Sequence, residues 1–199
     1  MNATLEDGRR LILASGSAFR RTLLERLGLP FEVDVPNIDE TARIGEAPPD
    51  LVSRLAREKA LTVAARHSDA LVIGSDQVAD LDGEILTKPS DHAAAVRQLQ
   101  RSSGQWVAFR SGICLLDASS GGRQVDVVSY NVRFRDLGSS QIEHYLRRER
   151  PYDCAGSFRS EGLGIVLLES MSGEDPNALI GLPLIRLVTM LSAEGVAVL

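Results

Sequence analysis

The amino-acid sequence predicts an α/β protein. Two apolar runs without polar alternation, residues 11–14 and 70–73, are typical of strands buried on both faces of a sheet. A helical pattern follows the first run and another precedes the second, and this order of elements favours the α/β class. The chain has 199 residues, of which 44% are hydrophobic, so we expect one domain over residues 1–199 with a sizeable core.

The charge balance and the termini narrow the functional classes. The net charge of −5 argues against a nucleic-acid or membrane-surface protein, since both usually carry a basic excess. The N-terminus lacks an apolar signal core and no apolar run is long enough to span a bilayer, so we expect a cytoplasmic protein. Cys114 and Cys154 lie far apart without a C-x-x-C motif, which indicates neither a zinc site nor a disulfide framework.

The first strand leads into a turn rich in serine and glycine, residues 15–17, and then into a helix that we expect Gly28 to end. Such a turn presents amide N–H groups and hydroxyls at the positive end of a helix, which suits phosphate. Arg20 falls between Leu24 and Leu27 around this helix, inside the apolar stripe. Its guanidinium therefore either meets an anionic partner or extends past the helix end to solvent.

A second strand is predicted over residues 31–35, followed by an acidic loop that contains Glu40. Glu40 is either a metal ligand or a solvated side chain. Asp50 is predicted to cap a helix that runs to about residue 67. Lys59 projects into the middle of the apolar stripe of this helix, so it either extends to solvent at the domain edge or reaches a polar site.

The stretch Gly74-Ser75-Asp76-Gln77 follows the buried run 70–73, and we place the chemistry there. Ligands in open α/β sheets gather where buried strands end. Asp76 is therefore a candidate general base or metal ligand, and the alternative is an aspartate that satisfies turn amides after Gly74.

Asp82 and Gly83 predict a β-hairpin between residues 78–80 and 84–86. Lys88, which precedes a proline just past the hairpin, is either a second phosphate cation or a solvated turn lysine. Ser90 is then predicted to cap a helix that ends near residue 104.

Long antiparallel strands are predicted over residues 105–117 and 124–135, followed by a charged helix over residues 139–150. Three glycines between 156 and 164 indicate a tight irregular loop, a type of segment that lines ligand pockets. An apolar strand over residues 165–168 and a final helix, interrupted near residues 181–183, complete the prediction.

Five motifs occur in order along the chain: S-G-S-A-F-R-R at 15–21, A-R-E-K-A at 56–60, G-S-D-Q at 74–77, K-P at 88–89 and D-C-A-G-S-F at 153–158. Together they resemble the Maf family of nucleoside triphosphate pyrophosphatases, from about residue 10 to the last helix. Within it, G-S-D-Q, G-S-F-R-S-E-G-L-G and D-P-N-A-L-I-G-L-P-L resemble the YceF-like branch, which is associated with 7-methyl-GTP. The branch that prefers dTTP and UTP typically has threonine where Gln77 stands.

The resemblance implies a long, mixed, twisted sheet flanked by helices, of the Maf/ITPase-like kind, with a nucleotide in a cleft between two lobes. It implies that Asp76 is the proton acceptor and that Mg²⁺ or Mn²⁺ is held by Glu40 and Asp76. The residues that it assigns to the triphosphate or its metal are Ser15, Arg20, Glu40, Lys59 and Lys88, and those that it assigns to base choice are Phe19, Gln77 and Glu161. A homodimer is expected by this analogy alone.

Two positions depart from the family pattern. Ala18 stands where proline is usual, which we expect to matter little because proline at a helix start mainly presets φ. Cys154 stands where lysine is frequent, so a cation is missing from the pocket wall and the role of Asp153 is left open.

The expected reaction is hydrolysis of 7-methyl-GTP to 7-methyl-GMP and pyrophosphate, with water attacking the α-phosphorus. The carboxylate of Glu161 can accept the N1–H and N2–H₂ edge of guanine, and the cationic methylated base favours the face of Phe19. The alternatives are a broader pyrophosphatase acting on UTP, dTTP or other modified nucleotides, and a protein that binds nucleotide without turnover. A dinucleotide-binding domain is excluded because no G-x-G-x-x-G follows the first strand.

Overall fold

A computed structural model describes residues 4–199 of the chain. The strands of this part are β1 Arg10–Ala14, β2 Glu32–Val33, β3 Ala70–Leu81, β4 Glu84–Leu86, β5 Trp106–Asp117, β6 Arg123–Phe134 and β7 Leu168–Gly173. The α-helices of the same part are α1 Ala18–Glu25, α2 Pro48–Ala64, α3 His92–Ser102, α4 Ser139–Glu149 and α5 Leu184–Ala193. The predicted α/β class is confirmed.

The strands form one mixed sheet in the order β2-β1-β3-β5-β6-β7, with β4 paired to β3. β1 is parallel to β2 and β3, which requires a crossover between them, whereas β3, β5 and β6 are antiparallel and 12 residues long each. The mixed topology and the long antiparallel pair are therefore confirmed.

β3 has different neighbours along one of its sides. β1 pairs with its first part and ends where Ala14 lies opposite Gly74, whereas β4 pairs with its last part and ends where Leu86 lies opposite Ala79. Residues 75–78 of β3 therefore lie between the carboxyl ends of β1 and β4. Such a break in the order of a sheet is where α/β proteins commonly bind ligands.

The two faces of the β1–β3 region pack against different helices. On one face, Ala56 and Ala60 of α2 contact Ile12 and Val72 in an apolar cluster. On the other face, α1 and α5 cover the alternate residues of the same strands in a second cluster that includes Leu11, Leu13, Leu71, Ile73 and Leu187. This alternation is the period of two that a strand buried on both faces requires.

A third apolar cluster lies around the far half of the sheet. Phe134 packs edge-on against Phe158, with ring centroids 5.5 Å apart, and Leu99 of α3 and Leu146 of α4 belong to the same cluster. Separate apolar clusters thus lie towards the two ends of the sheet, which agrees with the predicted two-lobed arrangement.

Helix starts differ from the predictions for local reasons. α2 begins at Pro48 rather than at a cap on Asp50, because proline suits the first helical positions, where no backbone N–H donor is needed. Asp91, not Ser90, caps α3, and its carboxylate accepts from the backbone N of Ala94 at 2.7 Å. α1 ends at Glu25, before the predicted stop at Gly28, which instead has φ +68°.

Strand bounds differ because pairing is set by distant segments. β3 does not end at Gly74 but continues through Asp76 to Leu81, since β5 pairs with it along its length. β2 has two residues rather than five. Residues Leu163–Leu167 form a 3₁₀ helix, and the last strand follows them instead of spanning 165–168. The predicted hairpin at Asp82 is confirmed.

Two further observations concern membranes and thiols. No helix within residues 4–199 is both long enough and apolar enough to cross a bilayer. Cys114 is buried and Cys154 partly exposed, and both are free thiols.

Glycine at two sheet positions that face α2 lets this helix approach the sheet backbone. A Cβ added at Gly74 would overlap the carbonyl oxygen of Ala56 and lie 2.9 Å from the backbone N of Ala60. A Cβ added at Gly112, which pairs with Asp76 across β3 and β5, would overlap the backbone carbonyl of Val52. The helix therefore packs on backbone rather than on side chains at these points.

We expect Gly74→Ala to lower the free energy of unfolding by at least about 2 kcal/mol, because backbone atoms of α2 must move to admit the methyl group. Gly16→Ala is the control, since its Cβ would meet only the Val35 methyl groups at 3.5 Å, an ordinary contact. Urea unfolding, monitored by circular dichroism, measures the free energy of unfolding of both variants. Equal stability of Gly74→Ala and wild type would contradict the tight packing.

Candidate active site

A cleft of about 900 Å³ opens beside residues 75–78 of β3. Its walls come from the turn after β1, the start of α1, the acidic loop before α2, and the loop after β4. It lies outside the carboxyl end of β1, so the expectation that the site follows a strand end holds for β1 although β3 itself continues.

The structure brings the residues singled out from the sequence together. Those that line the cleft are Ser15, Phe19, Arg20, Glu40, Lys59, Asp76, Gln77 and Lys88. Glu161 lines a smaller adjoining pocket of about 100 Å³, which shares Phe19, Arg20, Gln77 and Lys88 with the cleft.

Lys59 lies between two carboxylates. Its Nζ is 2.6 Å from Oδ1 of Asp76 and 2.7 Å from Oε1 of Glu40. Lys59 and Asp76 are buried, whereas the side chain of Glu40 is 60% exposed. Lys59 thus reaches a polar site instead of extending to solvent, and Asp76 is a strand residue rather than a turn aspartate.

The electrostatics of Glu40 reflect this arrangement. Burial works to raise the pKa of Glu40, but the hydrogen bond and charge of Lys59, with smaller contributions from Arg20 and Lys88, hold that pKa below its usual value. Glu40 is therefore an anion at neutral pH, and it faces cations from three different elements.

Arg20 points inward from the start of α1. Its Nε donates to the carbonyl of Gly181 at 2.8 Å, and its Nη1 donates to Oγ of Ser15 at 3.3 Å. Desolvation lowers the pKa of Arg20, while the charges of Asp76 and Glu40 act in the opposite direction. The guanidinium is thus held in the cleft, and its second terminal nitrogen remains for an anion.

The start of α1 is itself ordered by hydroxyls. Ser17 is the N-cap residue, and its Oγ accepts from the backbone N of Arg20 at 3.4 Å. Ser15 Oγ accepts from the backbone N of Ser17 at 3.2 Å. Ala18, the position where the family pattern has proline, is the first residue of the helix, so the departure leaves the cap intact.

Gln77 points to the other face of β3, where its amide is already engaged. Its Nε2 donates to the carbonyls of Ala178 and Leu179 at 2.6 and 3.0 Å, and Ser111 Oγ donates to Ala178 at 2.7 Å. Because carbonyls only accept, these contacts fix the orientation of the amide. The oxygen of the Gln77 side chain, an acceptor, therefore takes no part in these contacts.

The segment between β7 and α5 was noted in the sequence only as part of the D-P-N-A-L-I-G-L-P-L resemblance, yet its backbone carbonyls accept from Arg20 and Gln77 of the site. Asp175 is buried and accepts from the backbone N of Asn177 at 3.0 Å and from the backbone N of Ile185 at 2.7 Å. Arg26 Nη1 donates to Asn177 Oδ1 at 2.6 Å. Asp175 binds neighbouring backbone, but the contact of Asn177 with Arg26 spans 151 residues of sequence, so no local pattern predicted it.

Arg159 is a second residue that sequence reasoning missed. Its guanidinium carbon lies 5.4 Å from the ring centroid of Phe19, a cation–π contact. It also contacts Glu149 at 3.1 Å and Asp153 at 2.8 Å. Phe19 lines both pockets and Arg159 lines neither, so Arg159 bears on the pockets through its contact with the ring.

Arg159 also determines the surroundings of Cys154. Asp153, whose role the sequence left open, is paired with Arg159 and accepts from the Cys154 thiol at 3.4 Å. Burial raises the pKa of Cys154 to about 11, so the thiol is neutral at neutral pH. The pocket wall thus has a neutral side chain at the position where lysine is frequent.

The carboxylates fit a divalent cation shared with a ligand. No group of three or more His, Cys, Asp and Glu side chains within residues 4–199 could hold a metal by itself. Glu40 and Asp76, however, both converge on one positively charged atom, Nζ of Lys59. Mg²⁺ is typically bound by one or two carboxylates together with substrate phosphates, and this donor set has that composition.

Comparison with known proteins agrees with the motif pattern. The model of the family described as Maf-like protein matches residues 10–194. A "7-methyl-GTP pyrophosphatase" of Methylobacillus flagellatus is 56% identical over 189 residues, covering 95% of this chain and 98% of that protein. Proteins of the same name from Albidiferax ferrireducens and Pseudomonas syringae pv. tomato are 52% and 55% identical, over 96% and 94% of this chain and 96% and 98% of theirs.

Among solved structures, that of the Staphylococcus aureus Ham1 protein aligns with a TM-score of 0.49 and 15% identity, over 64% of this chain and 73% of that one. The family model spans most of the chain, from the first strand to the last helix, and the named relatives align over nearly their whole lengths. The chain therefore belongs to the Maf family.

Proposed function

We propose that the chain hydrolyses 7-methyl-GTP to 7-methyl-GMP and pyrophosphate. Relatives that are 52% to 56% identical over nearly the whole chain are named for this activity. The observation that carries the proposal is the buried Asp76 carboxylate, held by Lys59 in a cleft that also contains Arg20 and Lys88. A carboxylate among cations suits a reaction in which an anionic substrate must be bound and a water deprotonated.

The phosphate end of the cleft is formed by cations. Arg20 presents its second terminal nitrogen, and Lys88 lies on the exposed loop after β4. Ser15, whose hydroxyl already orders the turn before α1, adds a polar group beside them. Together these groups offset the negative charge of a triphosphate and align its α-phosphorus with Asp76.

Asp76 is the proton acceptor. In the free protein its Oδ1 is bound to Lys59, and its Oδ2 is the oxygen that takes a proton from the attacking water. The water oxygen bonds to the α-phosphorus, the bond to the oxygen that bridges the α- and β-phosphates breaks, and pyrophosphate leaves as one unit. A divalent cation, Mg²⁺ or Mn²⁺, bound by Glu40, Asp76 and phosphate oxygens would neutralise the charge that develops on them.

The base end is set by three residues. The Phe19 ring, supported by Arg159, offers a face on which a cationic 7-methylguanine stacks. Glu161 is exposed at the adjoining pocket and accepts the N–H groups of the guanine edge. Gln77 adds a further acceptor, its side-chain oxygen. Acceptors without a matching donor favour guanine over bases that present an acceptor at that edge.

The remaining parts of the proposal concern the setting of the reaction. As part of this proposal we place the reaction in the cytoplasm. The substrate is a nucleoside triphosphate, and we expect the protein to act without a nucleic-acid or membrane partner. The homodimer remains a prediction from family analogy, and size-exclusion chromatography with light scattering measures it.

The experiment that tests the proposal measures pyrophosphate release from 7-methyl-GTP, GTP, UTP, dTTP and CTP with Mg²⁺ or Mn²⁺. We expect kcat/KM to be highest for 7-methyl-GTP. Preference for UTP or dTTP would keep the mechanism and reject the base assignment. Folded protein that binds nucleotides but releases no pyrophosphate from any of them would reject the enzymatic function.

Asp76→Asn is expected to lower kcat by about 10²–10⁴-fold, because the amide cannot take the proton, with a smaller effect on nucleotide binding. Asp80→Asn is the matched control, since Asp80 is also buried in β3 but pairs with Arg110 instead of lining the cleft. Single-turnover kinetics and equilibrium nucleotide binding separate the two effects. Near-normal kcat in folded Asp76→Asn would remove Asp76 from its role.

Glu161→Gln is expected to lower kcat/KM for 7-methyl-GTP and GTP by about tenfold or more, since the amide both weakens the acceptor and introduces a donor. Turnover of pyrimidine triphosphates should change little. Glu169→Gln, an exposed position in β7 away from both pockets, is the control. Equal losses on purine and pyrimidine substrates would show that Glu161 does not select the base.

A further inference from the structure

The position of Lys59 has a consequence for the order in which ligands bind. We propose that the Lys59 ammonium is the resident counter-cation of Glu40 and Asp76, and that it keeps a divalent metal from this pair until a triphosphate arrives. The metal therefore binds together with the nucleotide and not before it. The proposal rests on the proposed function only for the identity of the anion.

The geometry places Lys59 and the metal in competition. Nζ lies 2.6 Å from one oxygen of Asp76 and 2.7 Å from one oxygen of Glu40, so a single ammonium already satisfies both carboxylates. A divalent cation that bridged the same two side chains would lie within a few ångströms of this charge. The repulsion is strong there, because Lys59 and Asp76 are shielded from water.

Lys59 cannot leave this position by moving with its helix. α2 packs directly on the sheet backbone at Gly74 and Gly112, and the side chain of Lys59 is only 6% exposed. The side chain does line the cleft, so rotation about its own bonds brings Nζ towards a ligand there. A triphosphate supplies the anionic oxygens to which the ammonium transfers when the carboxylates take the metal.

The donor set provides an independent argument. Within the described residues, 4–199, no third His, Cys, Asp or Glu side chain joins Glu40 and Asp76. Mg²⁺ held by two carboxylates alone keeps most of its waters and binds weakly, whereas phosphate oxygens complete its shell. The chain therefore lacks the ligands for a strong binary site, and Lys59 weakens even the site that two carboxylates would make.

The test measures Mn²⁺ binding in the absence of nucleotide. The electron paramagnetic resonance signal of free Mn²⁺ reports how much of the ion is unbound. We expect Lys59→Met to bind Mn²⁺ about tenfold or more tightly than wild type, because a like charge next to the site is removed. Lys59→Arg should bind as weakly as wild type. Arg57→Met is the matched control, since Arg57 is an exposed cation of the same helix that does not line the cleft, so its effect should stay below about twofold.

A double variant locates the gained site. Adding Glu40→Gln to Lys59→Met should abolish the tighter Mn²⁺ binding, and circular dichroism confirms that each variant is folded. The proposal is overturned if folded Lys59→Met binds Mn²⁺ no more tightly than wild type. It is equally overturned if the gained binding survives the Glu40→Gln change.

Wild-type protein gives a second test that needs no variant. Protein-bound Mn²⁺ should appear only when a triphosphate analogue with a methylene group between the α- and β-phosphorus atoms is added. Equally tight Mn²⁺ binding with and without this analogue would overturn the proposal. Failure of the substrate panel would reject the proposed function separately, since binding of Mn²⁺ to the free protein needs no turnover.

Discussion

The close packing of α2 on the sheet is the constraint on which the site depends. At Gly74 and Gly112 the helix rests on backbone, because a side chain at either position would overlap a helix carbonyl. This approach places Lys59, on the same helix, within hydrogen-bond distance of Asp76 on β3. A helix held one methyl layer further from the sheet would leave a buried carboxylate without its cation, which is costly.

Because side chains alternate along β3, the two faces of this strand carry different parts of the site. Gly74 and Asp76 face α2, where the cations and carboxylates suit phosphate and metal. Ser75 and Gln77 face the segment before α5, where hydroxyl and amide groups bind backbone carbonyls. In the stretch between its pairings with β1 and β4, β3 is paired with β5 along one edge and its other edge is open. Both faces of β3 are therefore reached from one opening.

Local chemistry made part of the molecule predictable. The Asp82-Gly83 hairpin follows from turn preferences, and Lys59 stood out because a charge within an apolar stripe needs a reason. The extension of β3 past Gly74 was not predictable, since it depends on pairing with β5. Nor was the contact of Arg159 with Phe19, which joins the loop after α4 to α1 and has no periodic signal.

The carbonyl of Gly181 lies 2.8 Å from Nε of Arg20 and 2.9 Å from Oγ of Ser75, in the same short segment that binds the amide of Gln77. In the proposed function, the main chain there is shared by the part of the protein that would select the base and the part that would bind phosphate. Adaptation to a new base is therefore confined to changes that leave this stretch of backbone in place. Divergence of specificity in such a scaffold proceeds through side chains, while the path of the chain is inherited.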